Sequence, residues 1–416
     1  MEMLFPHDAP LVRLLRRPLL DVPRTRAYQA RLDEAIDRAI PGWNLDAGTI
    51  RSDRPLTGRE ATAPLALAAF AWHSSLSRHR GDPRLLRFFE AGLLRHTASI
   101  DADGLMTSFG LNGEFWAHGW DVEGLLYGLV FTWDALDPDR RRRLRDPLLR
   151  SARRHAALPD SHFGMGGIGN QRCVWCLGLH LYGQLLGEPD LCAQSDRVWR
   201  DLLPKVLDDS GQVIEQYGPC MHYSYTAFSY AWLNLAVRGE AAETDRLLRC
   251  LEGFRCRHTE SLYPLAGPSS RRYTETLSNT VIDLLPAAEQ MAGTDSRPLR
   301  FVERALAALP TDPRSGGPRP TGHGAVPLMW AMIMARAEPL PEPAPDRPVT
   351  LEWNSSTLHR RPSLVTLLVR NAYQTHFNAL DYLPFSGLQT WAFGAEPPIL
   401  HPTPLAPSTT QGDRLD

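Results

Sequence analysis

The chain has 416 residues, 43% hydrophobic and 22% charged, with a net charge of −2. That is the composition of a globular protein with a full-sized core, long enough for one large domain and an appendage. The near-neutral charge leaves no basic footprint for nucleic acid or for an anionic membrane. Lys205 is the only lysine, so the positive charge is almost all arginine. No apolar run is long enough to span a bilayer. The segment 1–22 mixes charge and proline and lacks the apolar core of a secretory signal, so the expected location is cytoplasmic.

Helical periodicity runs from residue 24 to about residue 337. It predicts helices at 24–40, 58–80, 82–97, 117–135, 138–157, 168–187, 190–207, 219–238, 240–257, 272–292, 297–309 and 325–337. Six consecutive helix pairs result. The fold class expected is mainly α, an (α/α) toroid, either incomplete or a six-pair barrel, with a short β-rich segment behind it.

The loops between these helices are of two kinds. Arg80–Pro83, Leu136–Asp139, Gly187–Asp190 and Gly239–Glu240 are short turns in which glycine, aspartate and proline stop one helix and start the next. Ser108–Gly119, Ser161–Asn170, Asp208–His222, Leu265–Tyr273 and Arg314–Gly324 are longer and glycine-rich. The two kinds alternate, so an up-down array places every long loop on one rim. Each long loop feeds a helix N-terminus, whose partial positive charge suits an anionic ligand.

Residues 1–337 therefore read as the toroid and 338–350 as a proline-stiffened linker. Residues 351–401 read as a short β-rich segment, with strand-like runs at 363–369 and 387–393. Residues 402–416 read as a disordered tail. The six cysteines, at 173, 176, 192, 220, 250 and 256, read as reduced thiols. Cys173 and Cys176 form a single CxxC on a helix with no second pair to complete a metal site, so no metal and no cofactor is expected.

The rim loops carry four clusters of reactive side chains. They are Glu114, Trp116, His118, Trp120 and Asp121; Asn170, Gln171 and Arg172; Glu215, Tyr217, His222, Tyr223 and Tyr225; and Arg271, Arg272 and Tyr273. Each has a structural explanation alone: tryptophan at a helix start as core, asparagine as an N-cap, the arginine pair as solvated surface. Together on one rim they suit proton abstraction beside a carboxylate. An amide, imidazole or guanidinium neutralises the carboxylate and stabilises the developing enolate. A base then takes the proton and an acid protonates the leaving oxygen. Tyrosine serves in either role once cations lower its pKa.

Gly169-Asn170-Gln171, two helices, then Asp209-Ser210-Gly211-Gln212-Val213-Ile214-Glu215 and His222-Tyr223-Ser224-Tyr225 resemble the heparinase II/III and alginate-lyase group of polysaccharide lyases. The segments Thr375–Asp381 and Trp391–Pro397 resemble part of that group's β-domain. The resemblance implies an (α/α) toroid followed by a β-sandwich. It implies that Asn170 neutralises the substrate carboxylate and that Tyr223 or Tyr225 is the base or acid, with His222 beside it. His376 would contribute from the second domain. Gln171 stands where histidine is common, His376-Phe377-Asn378 has one histidine fewer than the pattern, and residues 351–416 are fewer than a full sandwich needs.

The leading expectation is thus a lyase-type enzyme performing metal-independent acid/base β-elimination on an acidic sugar or another small carboxylated molecule, in a biosynthetic setting. Substrate-binding residues would be Trp116, His118, Trp120, Gln171, Arg172, Glu215, Tyr217, Arg271, Arg272 and Tyr273. A glycoside hydrolase-like toroid using paired carboxylates such as Asp121 and Glu215 is one alternative. A non-catalytic binding or scaffold toroid is another. Terpenoid chemistry would need a stronger metal-binding motif than Asp208-Asp209-Ser210. The expected partner is a small-molecule or oligosaccharide ligand, anionic in character, and the pattern allows a homo-oligomer.

Overall fold

The computed structural model describes residues 6–51, 58–108, 122–158, 169–214, 221–240, 243–258, 262, 279–308, 325–343, 348–353, 356–361, 364–369, 387–392 and 401–404. Its helices are α1 (Pro10–Leu15), α2 (Pro23–Ala39), α3 (Gly58–His73), α4 (Pro83–Ala98), α5 (Val122–Thr132), α6 (Pro138–Ala156) and α7 (Asn170–Leu186). They continue with α8 (Pro189–Val206), α9 (Met221–Arg238), α10 (Thr244–Cys256), α11 (Leu285–Met291), α12 (Arg297–Ala308) and α13 (Ala325–Met334).

Two classes of helix build two concentric layers. In α7, Cys173, Trp175, Cys176, Leu179, Leu181, Tyr182 and Leu185 are buried all round the helix, as an inner element requires. In α6, Leu144, Leu148, Ser151, Ala152 and His155 form one buried stripe and the remaining face is largely arginine. Inner helices α3, α5, α7, α9, α11 and α13 pack in that order, and α13 packs back on α3, so the inner ring closes. Helices α2, α4, α6, α8, α10 and α12 line the outside. The architecture is an (α/α) toroid of six pairs.

The seam involves α2. Its Arg24 donates to Glu289 of α11 at 2.5 Å and its Tyr28 hydroxyl donates to the same carboxylate at 2.8 Å. Helix α2 also stops α3 early. The expected helix 58–80 ends at His73, because Ser74 and Ser77 donate to Gln29 and Asp33 of α2 and Arg78 N–H donates to Asp33. Those bonds hold residues 74–80 as a turn.

A hairpin and a short helix went unread in the sequence before α3. Strands β1 (Trp43–Asn44) and β2 (Thr49–Ile50) form a hairpin against α4, with Trp43 stacked on Phe88 at 4.1 Å. At its tip Gly48 has φ +60°, and a Cβ there would meet the backbone of Gly92. Helix α1 lies across the C-terminal ends of the inner helices. Leu11 N–H donates to Gln184 near the end of α7, and Arg16 pairs with Asp134 just beyond α5. Leu11, Val12 and Leu15 of α1 are buried.

The expected helix 272–292 is split among the described residues. Asn279–Leu284 is a 3-10 turn, and Pro286 sits in the first turn of α11. Behind the toroid a five-stranded antiparallel meander follows in order: β3 (Val349–Trp353), β4 (Ser356–Arg361), β5 (Leu364–Val369), β6 (Gly387–Ala392) and β7 (His401–Pro404). Strand β3 takes the last two residues assigned to the linker. Strand β7 takes three residues assigned to the disordered tail, where prolines suit an edge strand.

Candidate functional site at the rim of the inner ring

Inner helices follow outer ones through the long connections, so α5, α7, α9, the turn before α11, and α13 all start at one end of the barrel. Much of this rim lies outside the described residues: Glu114, Trp116, His118, Trp120, Asp121, Glu215, Tyr217, Arg271, Arg272, Tyr273 and His376 all do. His222 falls in the first turn of α9. Asn170, Gln171, Arg172, Tyr223 and Tyr225 can be placed in full.

Asn170 is the first residue of α7 and is 3% exposed. Gly169 precedes it at φ +110°, a backbone turn that glycine adopts without a Cβ penalty. The first N–H groups of a helix have no intrahelical acceptor, so the start of α7 presents donors and a partial positive charge. Arg172 adds a guanidinium 4.4 Å over the Trp175 ring. Gln171, half-buried, stands between them.

The start of α7 is fixed from both sides. Trp175 Nε1 donates to the His155 carbonyl and His155 Nε2 meets the Trp175 carbonyl, each at 2.8 Å, joining α7 to α6. On the other side Asn234 of α9 donates to the Cys173 carbonyl at 2.9 Å and to the Tyr230 carbonyl at 2.8 Å. The bond to Cys173 sets a stagger. Asn234 is deep in α9, whereas Cys173 is one turn into α7. At about 1.5 Å per residue, α9 starts roughly 15 Å beyond the start of α7. The rim is therefore stepped: the first turns of α9 stand as a wall above Asn170.

The two faces of that wall differ. Tyr223, Thr226 and Tyr230 share one face by their spacing. Thr226 donates to Asp283 at 2.9 Å, and the Tyr230 hydroxyl donates to Glu123 of α5 at 3.0 Å. Helices α5 and α9 are separated in the ring by α7, so this last bond crosses the lumen. Tyr223, two turns above Tyr230, is half-buried. Tyr225 faces the other way, toward α10. It is 1% exposed, packs on Phe254 at 5.0 Å and donates its hydroxyl to His258 Nε2 at 2.9 Å. The direction of that bond follows from the other nitrogen, because His258 Nδ1 lies 2.8 Å from the Phe254 carbonyl and must donate there. Full burial pushes the His258 pKa down to about 4, so the ring is neutral at ordinary pH.

Below this level the lumen is filled. Trp330 of α13 makes edge contacts with Tyr127 of α5 at 5.6 Å and with Trp232 of α9 at 5.8 Å. Three alternate inner helices meet there. Cys173 and Cys176 are buried within α7, and burial pushes the Cys176 thiol up to about 12, which keeps it protonated. No helix among the described residues is long and apolar enough to cross a membrane.

Sequence reading passed over Glu123, Tyr230, Asp283 and His258. Tyr230 could have been found by extending the Tyr223 face down α9 at helical spacing, whereas Glu123 and Asp283 reach that face from other elements. His258 follows a helix end with no motif around it and carried no signal.

No family model and no curated protein matches the chain. Solved structures share its fold. It is similar to the Streptomyces coelicolor A3 chondroitin AC lyase in complex with chondroitin sulphate, with 16% identity and a TM-score of 0.61 over 94% of this chain and 58% of that one. It is also similar to a Paenibacillus xanthan lyase, with 13% identity and a TM-score of 0.54 over 86% of this chain and 36% of that one. This chain thus spans less than two thirds of either neighbour. What they share with it is the helical toroid fold.

Proposed function

We propose that the protein is a toroid enzyme that cleaves an acidic saccharide, or a comparable small carboxylated molecule, by β-elimination at the stepped rim. The observation that carries this reading is the position of Asn170. It opens a helix whose start is pinned by His155 and Asn234, directly beneath the tyrosine-bearing wall of α9. The amide, the N–H groups of that helix start and Arg172 form a donor set for a substrate carboxylate, and for the enolate that develops once the adjacent proton leaves. Tyr223, on the face shared with Thr226 and Tyr230, is the group favoured for the proton transfer. Tyr225 faces α10 and supports the wall.

The test is incubation with uronate-containing oligosaccharides while following the ultraviolet absorbance of the unsaturated product. Wild-type turnover that falls at least a hundredfold in Tyr223→Phe and in Asn170→Ala supports the reading, since general acid/base groups contribute about 10²–10⁴-fold. Turnover unchanged in Tyr223→Phe removes that assignment. Absence of the unsaturated product on every uronate tried removes the sugar-lyase reading.

A hydrolytic reading draws on Glu123 and Asp283, two buried carboxylates held by Tyr230 and Thr226 one turn apart on α9. It calls for cleavage that releases saturated products, seen as new reducing ends with no rise in ultraviolet absorbance.

A further inference from the structure

Three residues in series, joined by two contacts, link the C-terminal sheet to the wall of α9. Arg360 of β4 places Nη1 2.7 Å from the His258 carbonyl, 3.2 Å from that of Arg255 and 3.3 Å from that of Cys256. Those are carbonyls at and just past the end of α10, the group of acceptors a helix leaves without intrahelical donors, at the negative end of its dipole. A guanidinium carries several donors on a planar frame and suits this position better than an ammonium. Leu358, on the same face of β4 as Arg360, is fully buried and seats the strand.

His258 is the second link. Its carbonyl is held by Arg360, its Nδ1 by Phe254 and its ring by Phe301 at 4.9 Å. Its Nε2 is thereby presented in one orientation and one tautomer to Tyr225, the third link. Tyr225 lies in the second turn of α9, within the stretch that projects past α7. Beside it, Ser224 donates to the Val213 carbonyl at 3.1 Å. Helix starts fray where their own backbone bonds are missing, and side-chain links of this sort hold them; Ser224, Tyr225 and Thr226 are all buried here.

We propose that Arg360 and His258 are positioning residues, and that through Tyr225 the C-terminal sheet fixes the first turns of α9 that carry Tyr223. The inference rests on the proposed role of Tyr223 for its catalytic meaning, while the mechanical coupling is measurable without a substrate. The fold would then use its sheet as a brace for the reaction wall, and the brace would act at a distance from any reacting atom.

Amide hydrogen exchange on the full chain is the primary test. In Arg360→Gln, exchange of amides 221–228 is expected to rise at least tenfold while α7 and α8 keep their wild-type rates. Tyr225→Phe should produce the same local pattern, and Arg360→Gln combined with Tyr225→Phe should be no worse than the more affected single variant. Arg360→Lys should recover part of the protection. Unchanged exchange over 221–228 in Arg360→Gln overturns the proposal. So does a uniform rise that includes α7, which would mark Arg360 as a general stability element. Where a turnover assay exists, kcat is expected to fall more than tenfold in Arg360→Gln with KM changed by less than threefold. If no substrate is turned over, the proposed function fails while the exchange result still decides the brace.

Discussion

The Tyr225 hydroxyl donates to His258 Nε2 across 2.9 Å, linking α9 to the residue just past the end of α10, and both side chains are nearly fully buried. Removing the donor leaves a buried imidazole nitrogen with no proton to accept. Tyr225→Phe should therefore cost about 1–3 kcal/mol, the usual penalty for an unsatisfied buried acceptor. Urea unfolding measures it. A loss below about 0.5 kcal/mol would mean that the bond contributes little in the folded protein.

Acid should destabilise the fold through three histidines. Burial lowers the pKa of His96 to about 3 and those of His180 and His258 to about 4, from an ordinary value near 6.5. The unfolded chain binds these protons first. Between pH 6.5 and about 4 it holds more protons than the native state, so stability falls as pH drops. Each such proton contributes at most about 1.4 kcal/mol per pH unit. Thermal melts from pH 7 to pH 4 should show a progressive fall in Tm. Replacing His258 with glutamine should lower the starting Tm and flatten the slope.

Gly124 stands where α5 crosses α3. A Cβ there would come within 2.7 Å of the Thr62 carbonyl and 2.9 Å of its hydroxyl, neither of which can swing aside without moving α3. Gly124→Ala should cost about 1–3 kcal/mol by overpacking. Because Glu123 is the next residue, the same change should shift the bond that Tyr230 sends across the lumen. Equilibrium unfolding and a structure of the variant would check both.

The described cysteines should be slow toward thiol reagents in the native protein. Burial pushes Cys176 and Cys256 up to about 12 and Cys192 up to about 11, so the reactive thiolate is scarce at neutral pH. Cys173, Cys176, Cys250 and Cys256 are also buried. Labelling followed by peptide mapping should find these four modified only after denaturation. Rapid native labelling at Cys176 would contradict the packing of α7.

The helices were legible because their apolar spacing is local. Inner and outer classes differ visibly, as α7 and α6 show, and the two loop kinds ordered them into pairs. The turn after His73 was not legible, since Gln29 and Asp33 impose it from another helix. Strands β3 and β4 were missed because they are short and mix polar residues into their alternation, as Ser356–Arg361 does. At the site, Asn170 and the tyrosine stretch stood out by type and place. Their difference in height did not, because one side-chain bond from Asn234 to Cys173 sets it. Nor did His258 announce its tie to Tyr225, whose partner is chosen by the way α10 folds back along α9.

Helix α1 lies across the C-terminal ends of α5, α7 and α9, and the aromatic contact of Trp330 with Tyr127 and Trp232 fills the barrel above it. The ring is consequently a cup. A polymer cannot thread through it and be processed as it slides. Whatever binds must lie across the mouth or enter end first, and must leave by the way it came.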